Sequence, residues 1–199
     1  MEKSSGFTLM ELMLAVTLFS VAIIISVSAL LGIIGVQRRS SALQRVENNV
    51  NFAVKSMMVD ISVGDLFYCG TNVQDGPLDS TTPQSCWSSG GRLLVFRNVR
   101  DEKTVYRLDN GMIRRCVDDA GSGACDEPIV NANYLQLTSS QVSIDPAIAS
   151  FYVDGAEGTA DSDLEQPLVQ LVLRASASVS GETEMMNIQT TISQLTPDF

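Results

Sequence analysis

Residues 7–36 read FTLMELMLAVTLFSVAIIISVSALLGIIGV, and the only formal charge among them is Glu11. At about 1.5 Å of rise per residue, a helix over this range would be roughly 45 Å long, which exceeds the ~30 Å hydrocarbon core of a bilayer. The stretch therefore predicts a single membrane-spanning helix at 7–36, with a short head at residues 1–6.

Two other kinds of apolar segment fit part of this pattern. Val27-Ser28-Ala29 offers a small-residue site for a signal peptidase, although the apolar region is about twice as long as a usual signal-peptide core. An ordinary signal anchor is also compatible. Arg38 and Arg39 follow the span and favour a cytoplasmic C-terminal part, whereas the cysteines discussed below favour the opposite orientation, which is the one we expect.

Glu11 needs an explanation, because a carboxylate deep in a membrane costs about 2.5–3.5 kcal/mol on insertion scales. If the chain were cut after Gly6, Phe7 would gain a positively charged α-amino group. Glu11 lies four residues further on, one helical turn away, and could neutralise that amine or its counterpart on a neighbouring helix. The sequence thus indicates a functional role for Glu11.

Gly6 followed by Phe7-Thr8-Leu9-Met10-Glu11-Leu12-Met13 and a long apolar helix resembles the class III signal of type IV pilins and pseudopilins. The resemblance implies that a prepilin peptidase removes residues 1–6 and N-methylates Phe7. It implies that Glu11 docks the subunit onto its neighbours in a filament. The implied partners are other pilin or pseudopilin subunits, an inner-membrane assembly platform and, before assembly, lipid.

The helix is expected to continue from residue 37 to residue 65. Apolar residues recur there at three- and four-residue spacings and no Gly or Pro occurs before Gly64, which is typical of an amphipathic helix whose apolar side lies against a sheet. The predicted apolar positions are Leu43, Val46, Val50, Ala53, Met57 and Ile61. Unlike many major pilins, the chain has no proline before Pro77.

Residues 66–199 are expected to form a β-rich globular domain. Short β-rich runs follow one another, Asp109-Asn110-Gly111 predicts a tight hairpin turn, and Ser180-Gly181-Glu182 predicts a turn between two long final strands. The runs are 92–99, 103–108, 112–117, 134–138, 148–153, 168–179 and 185–195. The predicted fold class is α+β, with a long N-terminal helix packed on an antiparallel sheet.

The run V-Y-R-L-D-N-G-M-I-R-R at 105–115 and the late hairpin resemble the J-type minor pseudopilins of type II secretion. A related minor pilin of type IV pili is an equally good match. The implied function is that of a structural subunit that helps to initiate or cap a filament. A major pilin subunit, and a membrane-anchored adhesin or binding domain that does not assemble, are the alternatives.

Four cysteines occur in stretches rich in Gly, Ser, Asp and Thr: Cys69, Cys86, Cys116 and Cys125. Of the three possible connectivities, closing each loop with its own bridge is the simplest, and it pairs Cys69 with Cys86 and Cys116 with Cys125. Paired cysteines favour an oxidising compartment outside the cytoplasm. The resemblance to pilins implies an inner-membrane location, and the cysteines favour a periplasmic or extracellular C-terminal domain.

Composition argues against several other functions. The chain has no histidine, which removes the commonest general base and metal ligand, so we expect no enzyme activity. Its net charge of −10 makes nucleic acid a poor partner. A basic group broken up by acids is expected to be solvated or to form salt bridges with partner subunits: Arg92, Arg97, Arg100, Lys103, Arg107, Arg114 and Arg115.

One acidic loop could hold a metal ion, although its residues lack EF-hand spacing. Hard cations prefer clustered carboxylates, so a Ca²⁺ site is a weak expectation here. Its ligands would be Asp154, Glu157, Asp161 and Asp163. No other cofactor is expected.

Overall fold

The computed structural model describes residues 8–70, 83–119, 123–125, 133–156, 166–179 and 181–195. Within these residues, one helix is followed by nine strands. The helix α1 spans Leu9–Ser62. The strands are β1 Asp65–Gly70, β2 Leu93–Arg97, β3 Lys103–Asp109, β4 Met112–Asp118, β5 Leu135–Gln136, β6 Val142–Ile144, β7 Ser150–Asp154, β8 Leu168–Val179 and β9 Glu182–Ser193.

The strands form two antiparallel sheets, and the α+β prediction is confirmed. The first sheet has the order β1-β2-β3-β4-β5. The second is built on β8, which pairs along its whole length with β9 on one edge. Its other edge is shared, because β7 pairs with Leu168–Val172 and β6 with Ala175–Ala177. An isolated bridge between Gly91 and Phe151 joins the two sheets.

The C-terminal part of α1 lies along β9 and runs in the same direction. Arg39 is 3.8 Å from Glu184 near the start of β9, and the Leu195 N–H donates to the Ser62 carbonyl over 2.7 Å beyond its end. Between these contacts the helix rises about 35 Å and the strand about 36 Å, using the usual rise per residue of each. The lengths match, so this half of the helix, residues 37–62, is seated on the sheet; we call it the packed half.

The apolar stripe of the packed half forms the core with both sheets, nearly as the spacing predicted. Its buried positions are Ala42, Val46, Val50, Ala53, Val54, Met57 and Ile61. The prediction was wrong for Leu43, which is 41% exposed, and the neighbouring Ala42 is fully buried instead. Leu43 lies near the start of the packed half, next to residues 9–36 of α1, nearly all of which are exposed.

The helix ends at Ser62 rather than at the predicted residue 65, and β1 begins at Asp65. Val63 is the C-cap. A Cβ at Gly64 would collide with the Phe96 ring, so only glycine allows the chain to leave the helix this close to β2. The boundary between helix and β-domain therefore lies three residues earlier than predicted.

The hairpin prediction at Asp109-Asn110-Gly111 is confirmed. Asp109 pairs with Met112, which leaves a two-residue turn, and Asn110 and Gly111 have φ values of 48° and 72°. Both values are positive, as a type I′ turn requires. In contrast, β1 and β6 were not predicted. β1 contains an irregularity in its pairing, with Leu66 at φ 52°, and β6 has only three residues.

Candidate functional site

The apolar half of α1, residues 9–36, extends beyond the sheets and is not covered by them. By length and composition, α1 is the helix among the described residues that could cross a membrane. Its most apolar window has a mean hydropathy of 2.6, and no residue of that window is buried. Side chains such as Phe19 and Ile24 are about two-thirds exposed, at 69% and 65%. A surface of this kind is stable only in lipid or against other apolar helices.

The hydroxyl groups in this half are satisfied by the helix itself. Thr17 donates to the Leu14 carbonyl over 2.8 Å, Ser20 to the Val16 carbonyl over 2.8 Å, and Ser26 and Ser28 to carbonyls one turn earlier. Unpaired polar groups are costly in a low-dielectric environment, and these four cause no such cost. Glu11 is therefore the side chain in this half that needs a partner from outside the helix.

Glu11 lies in the first turn of α1, next to the helix cap. Thr8 is the N-cap, and its Oγ1 accepts a hydrogen bond from the Glu11 N–H over 3.3 Å. Thr8-Leu9-Met10-Glu11 matches the capping-box pattern, and a carboxylate here also interacts favourably with the helix dipole. The sequence reading missed this local role. Gly6 and Phe7, the predicted processing site, lie outside the described residues.

Both disulfides are present: Cys69 pairs with Cys86 and Cys116 with Cys125, with Cα–Cα distances of 5.7 and 5.8 Å. The pairing is the one that the loop spacing predicted. The first bridge joins β1 to the turn before β2, where Trp87 remains 48% exposed and stacks edge-on against Tyr152. The bridge thus holds an exposed aromatic residue against β7.

The basic residues of β2 to β4 pair with acids of the same chain, which differs from the predicted solvation or partner contacts. Arg97 donates twice to Asp65, over 3.0 and 2.7 Å. Arg107 and Arg114 share Asp109, at 3.3 and 3.5 Å. These ion pairs neutralise much of the basic cluster, so the described surface does not present a basic stripe suited to a phosphate backbone.

Asp154 is the member of the predicted calcium set that the structure describes. It is exposed at the end of β7, and its carboxylate accepts from the Gly155 N–H over 3.2 Å. Glu157, Asp161 and Asp163 lie outside the described residues. Within the described part of the chain, no group of three or more metal-ligating side chains was found.

A polar cluster that the sequence did not reveal fastens α1 to the first sheet. The Asp60 carboxylate of α1 accepts from the Tyr106 hydroxyl over 2.6 Å and lies 2.9 Å from the Arg115 guanidinium. Tyr106 is fully buried on β3, and its ring stacks on Phe96. We call Asp60, Tyr106 and Arg115 the helix–sheet clamp. Asp60 is 46 residues from Tyr106 in sequence and still further from Arg115, so no local pattern could predict the clamp.

The clamp predicts a specific sensitivity to alkali. Burial, and secondly the hydrogen bond to Asp60, raise the pKa of Tyr106 far above its ordinary value of 10.0. Above about pH 10 the unfolded chain therefore loses a proton that the folded chain keeps, so stability falls by up to about 1.4 kcal/mol per pH unit. Urea unfolding of the detergent-solubilised chain between about pH 8 and pH 11 should show this slope.

Tyr106→Phe should remove that part of the slope and lower stability by about 1 kcal/mol at neutral pH, because one hydrogen bond is lost. Tyr152→Phe is the control, since it leaves the clamp intact. Identical alkaline slopes in the wild type and Tyr106→Phe would show that the buried hydroxyl does not govern this loss of stability.

Comparison of the chain with models of known families, with curated proteins and with solved structures finds no match.

Proposed function

We propose that this chain is a non-catalytic structural subunit, a minor pilin or pseudopilin, of a type IV pilus-like or type II secretion filament. The observation that carries the proposal is the division of α1 into two halves. The packed half belongs to the core of a disulfide-bonded β-domain, and the apolar half projects from it uncovered, with Glu11 as its only charge. A subunit that moves from a membrane into a helical bundle needs this arrangement.

A membrane and a filament core would stabilise the apolar half for the same physical reason. Lipid covers it before assembly, and the corresponding helices of neighbouring subunits cover it afterwards, so little apolar surface meets water in either state. The proposed processing removes residues 1–6 and leaves an N-methylated amine on Phe7. Glu11 then pairs with that amine on an adjacent subunit, which lowers the cost of the carboxylate and defines the axial position of the subunit.

The experiment must separate charge pairing from helix capping, because Thr8-Leu9-Met10-Glu11 has the capping-box sequence pattern and the Glu11 N–H bonds to the Thr8 side chain. Gln at this position keeps the hydrogen-bonding capacity that a capping box uses but lacks the charge. We expect Glu11→Gln and Glu11→Ala to reduce incorporation into sheared filaments by about tenfold or more, the equivalent of losing a contact of about 1.4 kcal/mol. Ser20→Ala, which removes a polar group from the same half without removing charge, should assemble normally.

Each outcome has a distinct meaning. Normal assembly of Glu11→Gln with failure of Glu11→Ala and Thr8→Ala would indicate that helix capping, rather than charge pairing, is required. Tolerance of all three substitutions would favour a membrane-anchored binding domain that does not assemble. Mass spectrometry of the membrane protein tests processing independently, since a chain that retains residues 1–6 would contradict the pilin-like pathway.

A further inference from the structure

The outer edge of β9 carries backbone groups that no strand of the described chain uses. The Arg174 carbonyl of β8 accepts from the Asp145 N–H next to β6, so the peptide groups of even-numbered β8 residues point away from β9. The peptide groups of odd-numbered β8 residues therefore point towards β9, where Leu173 pairs with Ile188. By the alternation of an antiparallel pair, the peptide groups of Met185, Asn187, Gln189 and Thr191 point outwards.

Leu195, which follows Ser193 in this outward series, already has a backbone partner. The Leu195 N–H donates to the Ser62 carbonyl over 2.7 Å, whereas the Gln194 N–H donates towards Pro167, before β8. The end of α1 thus occupies the edge at its far end. Among the described residues, none pairs with the outward groups from Met185 to Thr191, and this row is long enough to pair with a strand of about seven residues.

Beside this edge, α1 and β9 form an apolar ledge. Arg45, Asn49 and Asp60 bond to the β6 loop and the first sheet, so they define the flank of α1 that faces away from β9. The opposite flank carries Val54, which is buried, and Met58. Ser62, one helical turn after Met58, accepts from the Leu195 N–H, so this flank lies next to the edge of β9. Met58 is 38% exposed, and Met186 and Ile188 of β9 are only partly buried. We call these four residues the ledge.

Beyond Glu182 and Glu184 at its start, the edge also lacks the features that normally prevent strand pairing. Residues 185–195 contain no charge and no proline in a chain whose net charge is −10. The register of β9 with β8 is continuous over twelve residue pairs, without a bulge. Natural edge strands are usually protected by charges, prolines or bulges, because an unprotected edge recruits other strands.

We propose that the outer edge of β9 binds an extended segment of another protein by strand addition. The segment pairs with the outward peptide groups of β9, and its alternate apolar side chains cover the ledge. On its other face it presents polar residues beside Asn187, Gln189 and Thr191. Such recognition derives affinity from the main chain and specificity from alternate side-chain positions.

A second copy of this chain does not fit the same edge. Because α1 runs parallel to β9, antiparallel pairing of two β9 strands would direct the two apolar halves in opposite directions, so both could not enter one membrane. Parallel pairing of two β9 strands would need a twofold axis along the strands. That rotation inverts the second sheet, so the polar face of its β9 would lie beside the ledge of the first copy. The ledge needs apolar side chains, which this arrangement does not supply.

The test uses the full chain in lipid nanodiscs and a fluorescent peptide with the sequence of Leu168–Val179, the natural antiparallel partner of β9, with lysines added at both ends. Gln189→Pro removes an outward N–H that β8 does not use, and edge strands tolerate proline at such positions. Gln189→Ala is the matched control. Thermal unfolding checks that both variants fold.

We expect saturable binding to the wild type and Gln189→Ala, and about tenfold weaker binding to Gln189→Pro, in line with the loss of about one hydrogen bond. A peptide N-methylated at alternate residues should bind more weakly still when the methylated residues are the paired ones, because it then loses several donors. Hydrogen exchange should slow at Met185, Asn187, Gln189 and Thr191 when the peptide is bound. No saturable binding, or equal binding to all variants, overturns the proposal, and self-association that Gln189→Pro abolishes assigns the edge to a second copy instead.

Discussion

Replacing Gly91 by Ala is expected to lower the free energy of unfolding by about 3 kcal/mol, because the added methyl group would occupy space already filled by the chain. A Cβ at this position would overlap the Gly70 carbonyl oxygen and the Cys69 Sγ atom. Neither can move alone, since one is strand backbone and the other belongs to the disulfide. Gly91 also exchanges two hydrogen bonds with Phe151, both of 2.7 Å, and these join the two sheets.

Thermal and urea unfolding of the detergent-solubilised chain would measure this loss. Gly35→Ala is the matched control, because no atom lies within 4 Å of the corresponding Cβ position, and Ala is the better helix former. It should leave the unfolding of the β-domain unchanged. A Gly91→Ala chain as stable as the wild type would mean that the contact between the sheets is looser than the structure shows.

Asp60→Ala is expected to destabilise the chain by about 2–3 kcal/mol, because it leaves two groups of the helix–sheet clamp without their acceptor. The Tyr106 hydroxyl is attached to a fully buried ring, and the Arg115 side chain is only 28% exposed. Water therefore replaces the lost carboxylate poorly. Tyr106→Phe should cost less than Asp60→Ala, since it removes a donor and leaves the ion pair in place.

Asp101→Ala provides the comparison for this substitution. Asp101 also pairs with an arginine, Arg97, at 3.1 Å, but its side chain is 80% exposed. Exposed ion pairs contribute little, but the φ of 63° at Asp101 adds a backbone cost for Ala, so the expected loss is about 1 kcal/mol or less. Equal effects of Asp60→Ala and Asp101→Ala would show that the clamp acts as an ordinary surface ion pair.

The clamp and the Gly91 bridge act on different parts of the molecule. Asp60 holds the end of α1 to the first sheet, while the apolar stripe of the packed half lies on the second sheet. Gly91 joins the sheets to each other.

Several features followed from local sequence, because their causes are local. The apolar run at 7–36, the three- and four-residue spacing from Val46 to Ile61, and the Asn110-Gly111 turn all depend on neighbouring residues. The disulfide pairing also followed from short loops. The T-x-x-E capping pattern at Thr8 was equally readable but was overlooked, because Glu11 was interpreted only through its charge.

Other features depend on residues that are distant in sequence. The ion pairs of the basic cluster arise because β1, β2, β3 and β4 are adjacent in one sheet, which the sequence alone does not specify. The end of α1 at Ser62 depends on the Phe96 ring on β2. The strands missed were short or irregular, and their pairing comes from neighbours already in place rather than from their own pattern.

The sequence by itself determined that a long apolar helix with one carboxylate precedes a disulfide-bonded β-domain, since helix period, charge and loop spacing are local properties. Only the tertiary structure decided which flank of that helix faces the first sheet and which lies next to the edge of β9. Both results depend on strand order, because the peptide groups of a strand point alternately to its two edges and only packing determines which edge remains open.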